Sequence, residues 1–371
     1  PHIPNGLRTN LLGLRDYPKV KTVTGVVTSA DAYGGGVAVA QVNGDTLLAI
    51  TENGWEWKVV GANPSGLGRS LYYGGTRHVA IIGTDWQQSG STWPTDRNRT
   101  NADSVHIYAA NPTAGAGAIV GFPRSTYIAT PDGEFRIAKT TVNGGPSNTV
   151  ESLKLESGLP IEGYLITGMG SFLPGAPPGF SDLVDAFGGF PFLVPYEPLG
   201  GVPSVGDTFL DGKEAIAWAR ERQNSPHGGT DRTLNQGLIM KAALATVKPL
   251  GMDEIPNLLS IMDGFVGTDL SLGHLLTLAA SVYTSDPGPM PTATPQDFIE
   301  AGHATPNGIL QSHGPYNQND GTLPNVVMKG CLYSPDNVTF GYKLQPQHDS
   351  TWTDLQDGVL GTKPWICDDG S

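Results

Sequence analysis

Apolar positions recur along this chain in two rhythms. Between residues 20 and 60 the short runs VTGVVTSA, GVAVAQV, DTLLAIT and WEWKVVGA are separated by Gly- and Asn-rich turns such as Asn43-Gly44 and Asn53-Gly54, a pattern that predicts a small β-rich preface. After the loop from Gly61 to Gly75 the pattern changes. HVAIIGTD (78–85) predicts a buried strand ending in an acid, and SVHIYAA (104–110), AGAIVGF (116–122), GYLIT (163–167) and FPFLVP (190–195) predict further strands. Helical periodicity fills the intervals: VESLKLESG behind a candidate cap at Ser147, SDLVDAFG (181–188), DGKEAIAWARER (211–222) and TLNQGLIMKAALATVK (233–248). IPNLLSIMDGF and SLGHLLTLAASVY extend the helices to about Tyr283, where the proline-rich SDPGPMPTATP interrupts them. Strands alternating with helices predict an α/β fold, an α/β/α sandwich with helices on the sheet faces. The expected organisation is a β-rich segment over 1–75, a main domain over 76–285 and a C-terminal extension over 286–371 packed on that domain.

Composition narrows the functional classes. With 371 residues, 50 Gly and 30 Pro, the chain is long enough for a large core and rich in ordered turns. A net charge of -13 without a basic stripe argues against a nucleic-acid partner. No run of about 18 apolar residues occurs, so membrane association would run through a segment absent from this sequence. The start at Pro1 is compatible with a removed signal peptide, a removed anchor or a trimmed end. Cys331 and Cys367 are expected to form a disulfide that tethers the C-terminal extension, which implies an oxidising, extracytoplasmic compartment; two buried free thiols are the alternative.

In so acidic a chain the arginines stand out. Arg220-Glu221-Arg222 ends one predicted helix, and Asp231-Arg232-Thr233-Leu234-Asn235-Gln236 opens the next. A guanidinium grips two phosphate oxygens at once, so grouped arginines suit a diphosphate; the plainer reading is a surface helix end complementing its dipole. Asp85 and Asp103 flank the ends of two predicted strands, where two carboxylates can share a hard divalent ion such as magnesium or simply cap turns. Gly121-Phe122-Pro123-Arg124-Ser125 aims a further arginine at the same crevice, and Arg136 follows the turn Asp132-Gly133, where a solvent-exposed hairpin is its plainer setting. Trp55 and Trp57, placed on one face of a predicted strand, either stack on a sugar or pack against the main domain. Gly115-Ala116-Gly117 lacks the spacing of a dinucleotide fingerprint, and no Gly-x-Ser-x-Gly elbow is present.

The ordered blocks HVAIIGTD, NADSVHI, GFPRSTYI, FRIAKTTVNGGP, LPIEGYLITGMGSF, LVDAFGGFPFLVP, FLDGKEAIAWARER and TDRTLNQG resemble the LytR-CpsA-Psr family, especially its actinobacterial members, over residues 78–248. The resemblance implies an extracytoplasmic α/β/α domain that takes a polyprenyl-diphosphate-linked glycan and transfers its glycosyl phosphate to a hydroxyl of a cell-wall polysaccharide. It implies Asp85 and Asp103 as magnesium ligands, Arg124, Arg220, Arg222 and Arg232 as the diphosphate clamp, and Gln236 as a polar neighbour. Departures are visible. Asn101 stands where the family has Arg, with Arg99 as a substitute; Ser125 replaces the acid after Pro-Arg; Arg136-Ile137-Ala138 replaces Lys-Ile-Asn; and Gly229 replaces an Asp. Three functions therefore compete: a glycan phosphotransferase, a secreted hydrolase on the same scaffold, and a non-catalytic glycan or lipid binder. The transferase needs an apolar tunnel for its lipid; LVDAFGGFPFLV and NQGLIMKAALATV suit its lining and equally suit an ordinary core.

Overall fold

The computed structural model describes residues 27–42, 44–51, 53–63, 77–85, 100–111, 116–124, 126–170, 178–194, 196–224 and 229–284, with 292–293, 332–333 and 342–344. In chain order the elements are β1 (Val27–Tyr33), β2 (Val37–Val42), β3 (Asp45–Ile50), β4 (Lys58–Asn63), β5 (Arg77–Thr84), β6 (Ala102–Asn111), β7 (Ala116–Phe122), β8 (Thr126–Thr130) and β9 (Gly133–Arg136). There follow α1 (Thr140–Ser157), β10 (Tyr164–Thr167), α2 (Phe180–Ala186), β11 (Phe190–Val194), β12 (Gly206–Leu210), α3 (Gly212–Arg220) and α4 (Gly229–Val247). The chain continues through α5 (Ile255–Met262), β13 (Gly267–Thr268), α6 (Leu272–Thr284), β14 (Thr292–Ala293), β15 (Leu332–Tyr333) and β16 (Tyr342–Leu344).

The main sheet has the order β13-β10-β5-β6-β7-β14. Its two faces are read off β6, where successive side chains alternate. Val105, Ile107 and Ala109 point into a core shared with Val150 and Leu153 of α1. Tyr108 and Ala110 point the other way, against Met240 and Leu244 of α4 and Leu275 and Leu278 of α6. Helices therefore cover both faces, as the alternating pattern predicts.

The β-rich preface is an antiparallel sheet, β1-β2-β3-β4. Val42 pairs with Asp45 across a two-residue turn in which Gly44 has φ 87°, the conformation an Asn-Gly hairpin requires. This sheet packs on α5 and α6: Thr277 Oγ1 donates to Val60 O at 2.7 Å, and a Cβ on Gly61 would stand 2.5 Å from that of Ala280.

Two local expectations are corrected. Lys58, not Trp55, opens β4: Asn53 Oδ1 accepts from the backbone N–H of both Trp55 and Glu56 at 2.9 Å, and this turn removes the tryptophans from the strand. Trp55 is 84% exposed and shares no strand face with Trp57. Ser147 is not a helix cap. α1 starts at Thr140, breaks at Gly144 and Gly145 (φ 75°, ψ -174°), and resumes at Pro146, whose fixed φ suits a first helical position. Of the C-terminal extension only short strands are described, among them β16, which pairs in parallel with β8; Cys331 and Cys367 lie outside the described residues.

Candidate functional site

The site forms where β5 ends and β6 begins. Gly83 pairs with Ser104 but Thr84 pairs with Ala102, so Asp103 is an extra residue in β6, a bulge. A bulge re-aims its side chain and bends the strand, and here it presents a carboxylate at the sheet end. Asp85, the residue after β5, lies opposite Asn101, to whose backbone O its N–H donates at 3.2 Å. Its Oδ1 accepts from Asn101 N and its Oδ2 from Asn101 Nδ2, both at 2.9 Å, and Lys139 Nζ donates to Asn101 Oδ1 at 2.7 Å. Asn101, a departure from the family pattern in sequence, thus links an acid to a cation.

The arginines arrive from three directions. Arg124 follows β7 and Pro123; its guanidinium pairs with Asp103 Oδ1 at 2.7 Å. Arg220 ends α3, a helix opened by a reciprocal cap in which Asp211 Oδ1 accepts from Glu214 N and Glu214 Oε2 from Asp211 N. Its far end is anchored by fully buried Trp218, whose ring packs at a tilt of 49° against Tyr196 with a centroid distance of 4.9 Å. Glu221 then turns extended (φ -60°, ψ 132°), which sends Arg220 and Arg222 to one side and its own side chain to the other. Its carboxylate accepts from the backbone N–H of Leu199 (2.6 Å), Gln223 (2.7 Å) and Asn224 (3.1 Å). Burial alone would raise its pKa, but the N–H groups of Asn224, Leu199, Gln223 and Arg222 outweigh it and hold the carboxyl below the usual range. Glu221 is therefore spent on the turn, and both neighbouring arginines stay exposed.

Arg232, in the first turns of α4, is the buried member at 8% exposure. Burial brings its pKa down to about 10; Asp103 opposes this, while Arg124, Arg222 and Arg220 add to it. Asp103 is raised from the ordinary carboxylate range chiefly by burial, with Arg124, Arg232 and Arg220 pulling it down and Asp85 pushing it up. These mutual influences place Asp85, Asp103, Arg124, Arg220, Arg222 and Arg232 in one electrostatic cluster. Four guanidiniums face two carboxylates, an excess of positive charge in an acidic chain that suits a polyanion.

Behind the cluster, His106 is fully buried and its Nε2 lies 3.1 Å from Thr233 O, where it donates in the matching tautomer. Its pKa is pushed down to about 4, mainly by burial, against the opposing effect of the Thr233 bond. Gly121 makes this approach feasible: a Cβ there would stand 2.5 Å from Thr233 Cγ2 and 2.7 Å from His106 Nε2. Gln236 donates from Nε2 to Ala219 O at 3.1 Å, tying α4 to the carbonyl just before Arg220. Arg136 ends β9 half-buried, and the charges acting on Asp103 and Arg232 do not include it. Arg99 lies outside the described residues. Sequence reasoning did not find Lys139 or His106, whose contacts span 38 and 127 residues of chain.

Two aspartates give hard oxygen donors from facing strand ends, but magnesium prefers about six oxygens in near-octahedral array. Among the described residues no group of three His, Cys, Asp or Glu side chains could hold a metal. The residues fit magnesium only if phosphate oxygens and water complete its shell.

On the face of the sheet covered by α4 and α6 lies an apolar cavity of about 370 Å³, bounded also by α2 and α5. Leu183, Val184, Phe187 and Phe190 line it from one of the two expected segments, and Met240, Ala243, Leu244 and Val247 from the other. Among the described residues no helix is long and apolar enough to cross a membrane.

Residues 69–296 match the model of the LytR_cpsA_psr family. The chain belongs to the LytR-CpsA-Psr family. It is 26% identical over 212 residues to the polyisoprenyl-teichoic acid–peptidoglycan teichoic acid transferase TagU of Bacillus subtilis (strain 168), an alignment covering 53% of this chain and 61% of that protein. It is 22% identical over 208 residues to TagU of Enterococcus faecalis (strain ATCC 700802 / V583), covering 54% and 64%. The chain thus spans about three fifths of the length of these relatives. Among solved structures, B. subtilis TagV superposes with a TM-score of 0.53 at 17% identity, covering 77% of this chain and 99% of TagV. TagT bound to LIIa-WTA gives 0.53 at 17% identity, covering 77% and 91%. The fold is that of the family.

Proposed function

We propose that this chain is a cell-envelope glycopolymer transferase that moves a glycosyl phosphate from a polyprenyl-diphosphate-linked donor to a hydroxyl of a wall polymer. One observation carries the reading. α4 holds Arg232 in the charged cluster at its start, and roughly 18 Å further along it exposes Leu244 to the apolar cavity. A ligand matching that helix has an anionic head and a long apolar tail. The relatives' names, which specify polyisoprenyl-linked teichoic acid and peptidoglycan, point to the same substrate class.

In the proposed reaction the acceptor hydroxyl oxygen attacks the sugar-linked phosphorus, the P–O bond to the bridging oxygen breaks, polyprenyl phosphate leaves with that oxygen, and the hydroxyl proton passes to water or to the departing phosphate. Phosphoryl transfer depends more on positioning and charge neutralisation than on covalent help. Arg124, Arg220, Arg222 and Arg232 would grip the diphosphate and offset the charge that gathers on the leaving phosphate. Asp85, oriented by Asn101, and Asp103, presented by its bulge, would hold magnesium against the phosphate oxygens. When bound, that ion supplies further neutralisation of the diphosphate. Such a reaction belongs on the outer side of the membrane, at the cell envelope.

The test is incubation with a polyprenyl-diphosphate-linked glycan, labelled in the sugar, together with peptidoglycan. Label in the insoluble wall, lost in Arg232→Ala, is the expected outcome. Release of the labelled sugar phosphate to water, with none in the wall, overturns the transferase in favour of a hydrolase.

A further inference from the structure

One hairpin holds an unusual share of exposed apolar side chains. β11 and β12 pair Pro191 with Phe209 and Leu193 with Asp207, so these positions share one face, while Phe190, Val194 and Leu210 occupy the other and join a core with Trp218. On the outer face Leu193 is 61% and Phe209 57% exposed, and the connecting loop adds Leu199, Val202 and Val205 at 45–58%. Single apolar residues are ordinary on a surface, but five within one hairpin mark a contact site.

The loop that carries them is held in place. Gly201 N donates to Pro198 O at 3.0 Å, Leu199 N to the Glu221 carboxylate at 2.6 Å, and Asn224 Nδ2 to Glu197 O at 3.2 Å. These bonds tie it to the 221–224 turn, beside Arg220 and Arg222. The opposite end of the hairpin adjoins the apolar cavity. Gly189 and Phe190 line that cavity, and the Phe209 ring lies so close over Gly189 that a Cβ there would stand 2.5 Å from Phe209 Cε1. The exposed apolar surface therefore runs from the arginines at one end to the cavity at the other.

Charge narrows the partner. Residues 189–210 contain two acids, Glu197 and Asp207, and no Lys or Arg, in a chain of net charge -13. Such a surface attracts through apolar contact and not through anionic headgroups. A protein partner has no need to adjoin both halves of a lipid-diphosphate site; the bilayer that holds the lipid does. We propose that the outer face of β11–β12 and its loop docks on the outer leaflet of the membrane, laying Leu193, Leu199, Val202, Val205 and Phe209 into the boundary between headgroups and acyl chains. A lipid-linked substrate then passes from bilayer to cavity without crossing water. The proposal rests on the lipid-diphosphate function and adds where the protein meets that lipid. The two acids keep the contact shallow, and the preformed loop bonds leave little ordering to be done on docking.

Sedimentation of the intact protein with phosphatidylcholine vesicles tests it, alongside calorimetry with a water-soluble short-chain prenyl diphosphate. The variant is Leu193→Ser combined with Val205→Ser, since neither side chain lines the cavity or belongs to the arginine cluster. The parent is expected to bind the vesicles, with little loss in added salt and no gain when part of the lipid is anionic phosphatidylglycerol. The variant is expected to bind about tenfold more weakly, with the parent's Tm and the parent's affinity for the soluble diphosphate, because both positions are exposed. A parent that stays in the supernatant, or a variant that sediments as the parent does, overturns the docking. Binding that needs the anionic lipid and disappears in salt overturns it too, because the contact is then electrostatic. A parent dimer without vesicles, dissociated by the double substitution, makes this face a self-contact and overturns it as well. Vesicle binding by the parent without diphosphate binding keeps the docking and overturns the lipid-diphosphate function instead.

Discussion

Asn101 holds Asp85 with both of its nitrogen donors, the backbone N–H to Oδ1 and Nδ2 to Oδ2, each at 2.9 Å. Its side-chain oxygen accepts from Lys139 at 2.7 Å, so one residue fixes the acid and recruits a cation. Groups that orient a metal-binding carboxylate typically change metal affinity about 10- to 100-fold when removed. Asn101→Ala should lower the increment that magnesium adds to diphosphate binding by roughly tenfold, with little change in diphosphate binding without metal. Titrations with and without magnesium measure it; an unchanged increment in the variant would remove Asp85 from the metal.

Glu221 carries the next prediction. Three backbone N–H groups converge on a charged acceptor, and hydrogen bonds to charged groups are worth more than neutral ones. Glu221→Ala should cost on the order of 2–3 kcal/mol of stability and, by releasing the 221–224 turn, weaken diphosphate binding although it removes a negative charge from beside two arginines. A simple electrostatic role predicts tighter binding instead, so the sign of the change in affinity decides between them.

How much of this was open to sequence reading depends on whether a feature is local. AGAIVGF ends in the structure where its apolar run ends, at Phe122, because a buried central strand is apolar throughout. The Arg220-Glu221-Arg222 cluster was visible as charge, but not that Glu221 would turn away from both arginines, since its partner Leu199 lies 22 residues earlier in the chain. The bulge at Asp103 was hidden for the same reason: it exists only relative to the register of β5. Asn53-Gly54 was read as a turn, yet the asparagine captures Trp55 and Glu56 as well and so delays the strand to Lys58. The two segments expected to be apolar wall or core were legible because their apolar residues are local in sequence, whereas the cavity they share with α5 and α6 is not.

The arginine cluster makes a coupled prediction. If Arg124, Arg220, Arg222 and Arg232 share one diphosphate, replacing any one by Ala should weaken its binding by about 1.5–3 kcal/mol. Arg220→Ala and Arg232→Ala should deviate from additivity when combined, because both side chains act on the same ligand and on each other. Unliganded stability must be followed in parallel, most of all for buried Arg232, whose methylene stem also packs. Four folded variants that bind like the parent would make the cluster structural.

The last prediction follows from His106, which sets the height of α4 against the sheet through its bond to Thr233 O. Its folded pKa is depressed to about 4 by burial, against 6.5 for an unperturbed imidazole. A depressed histidine means that the unfolded chain binds a proton the folded one refuses. Above about pH 6.5 neither state is charged and the shift has no effect. As pH falls from 6.5 towards 4 the unfolded state gains the proton first, and stability declines by up to roughly 3 kcal/mol. Below 4 the folded state protonates as well, and the imidazolium must stay buried or break α4 away from β6. Replacing the group by one that cannot titrate but can still donate, His106→Gln, should flatten this part of the profile, whereas loss of paired carboxylates elsewhere would leave its acid limb intact. Urea unfolding of both proteins between pH 4 and 7.5 separates the two. Parallel profiles across that window would mean that His106 takes up its proton at the same pH in the folded and unfolded chains, and burial would then not be what sets its titration.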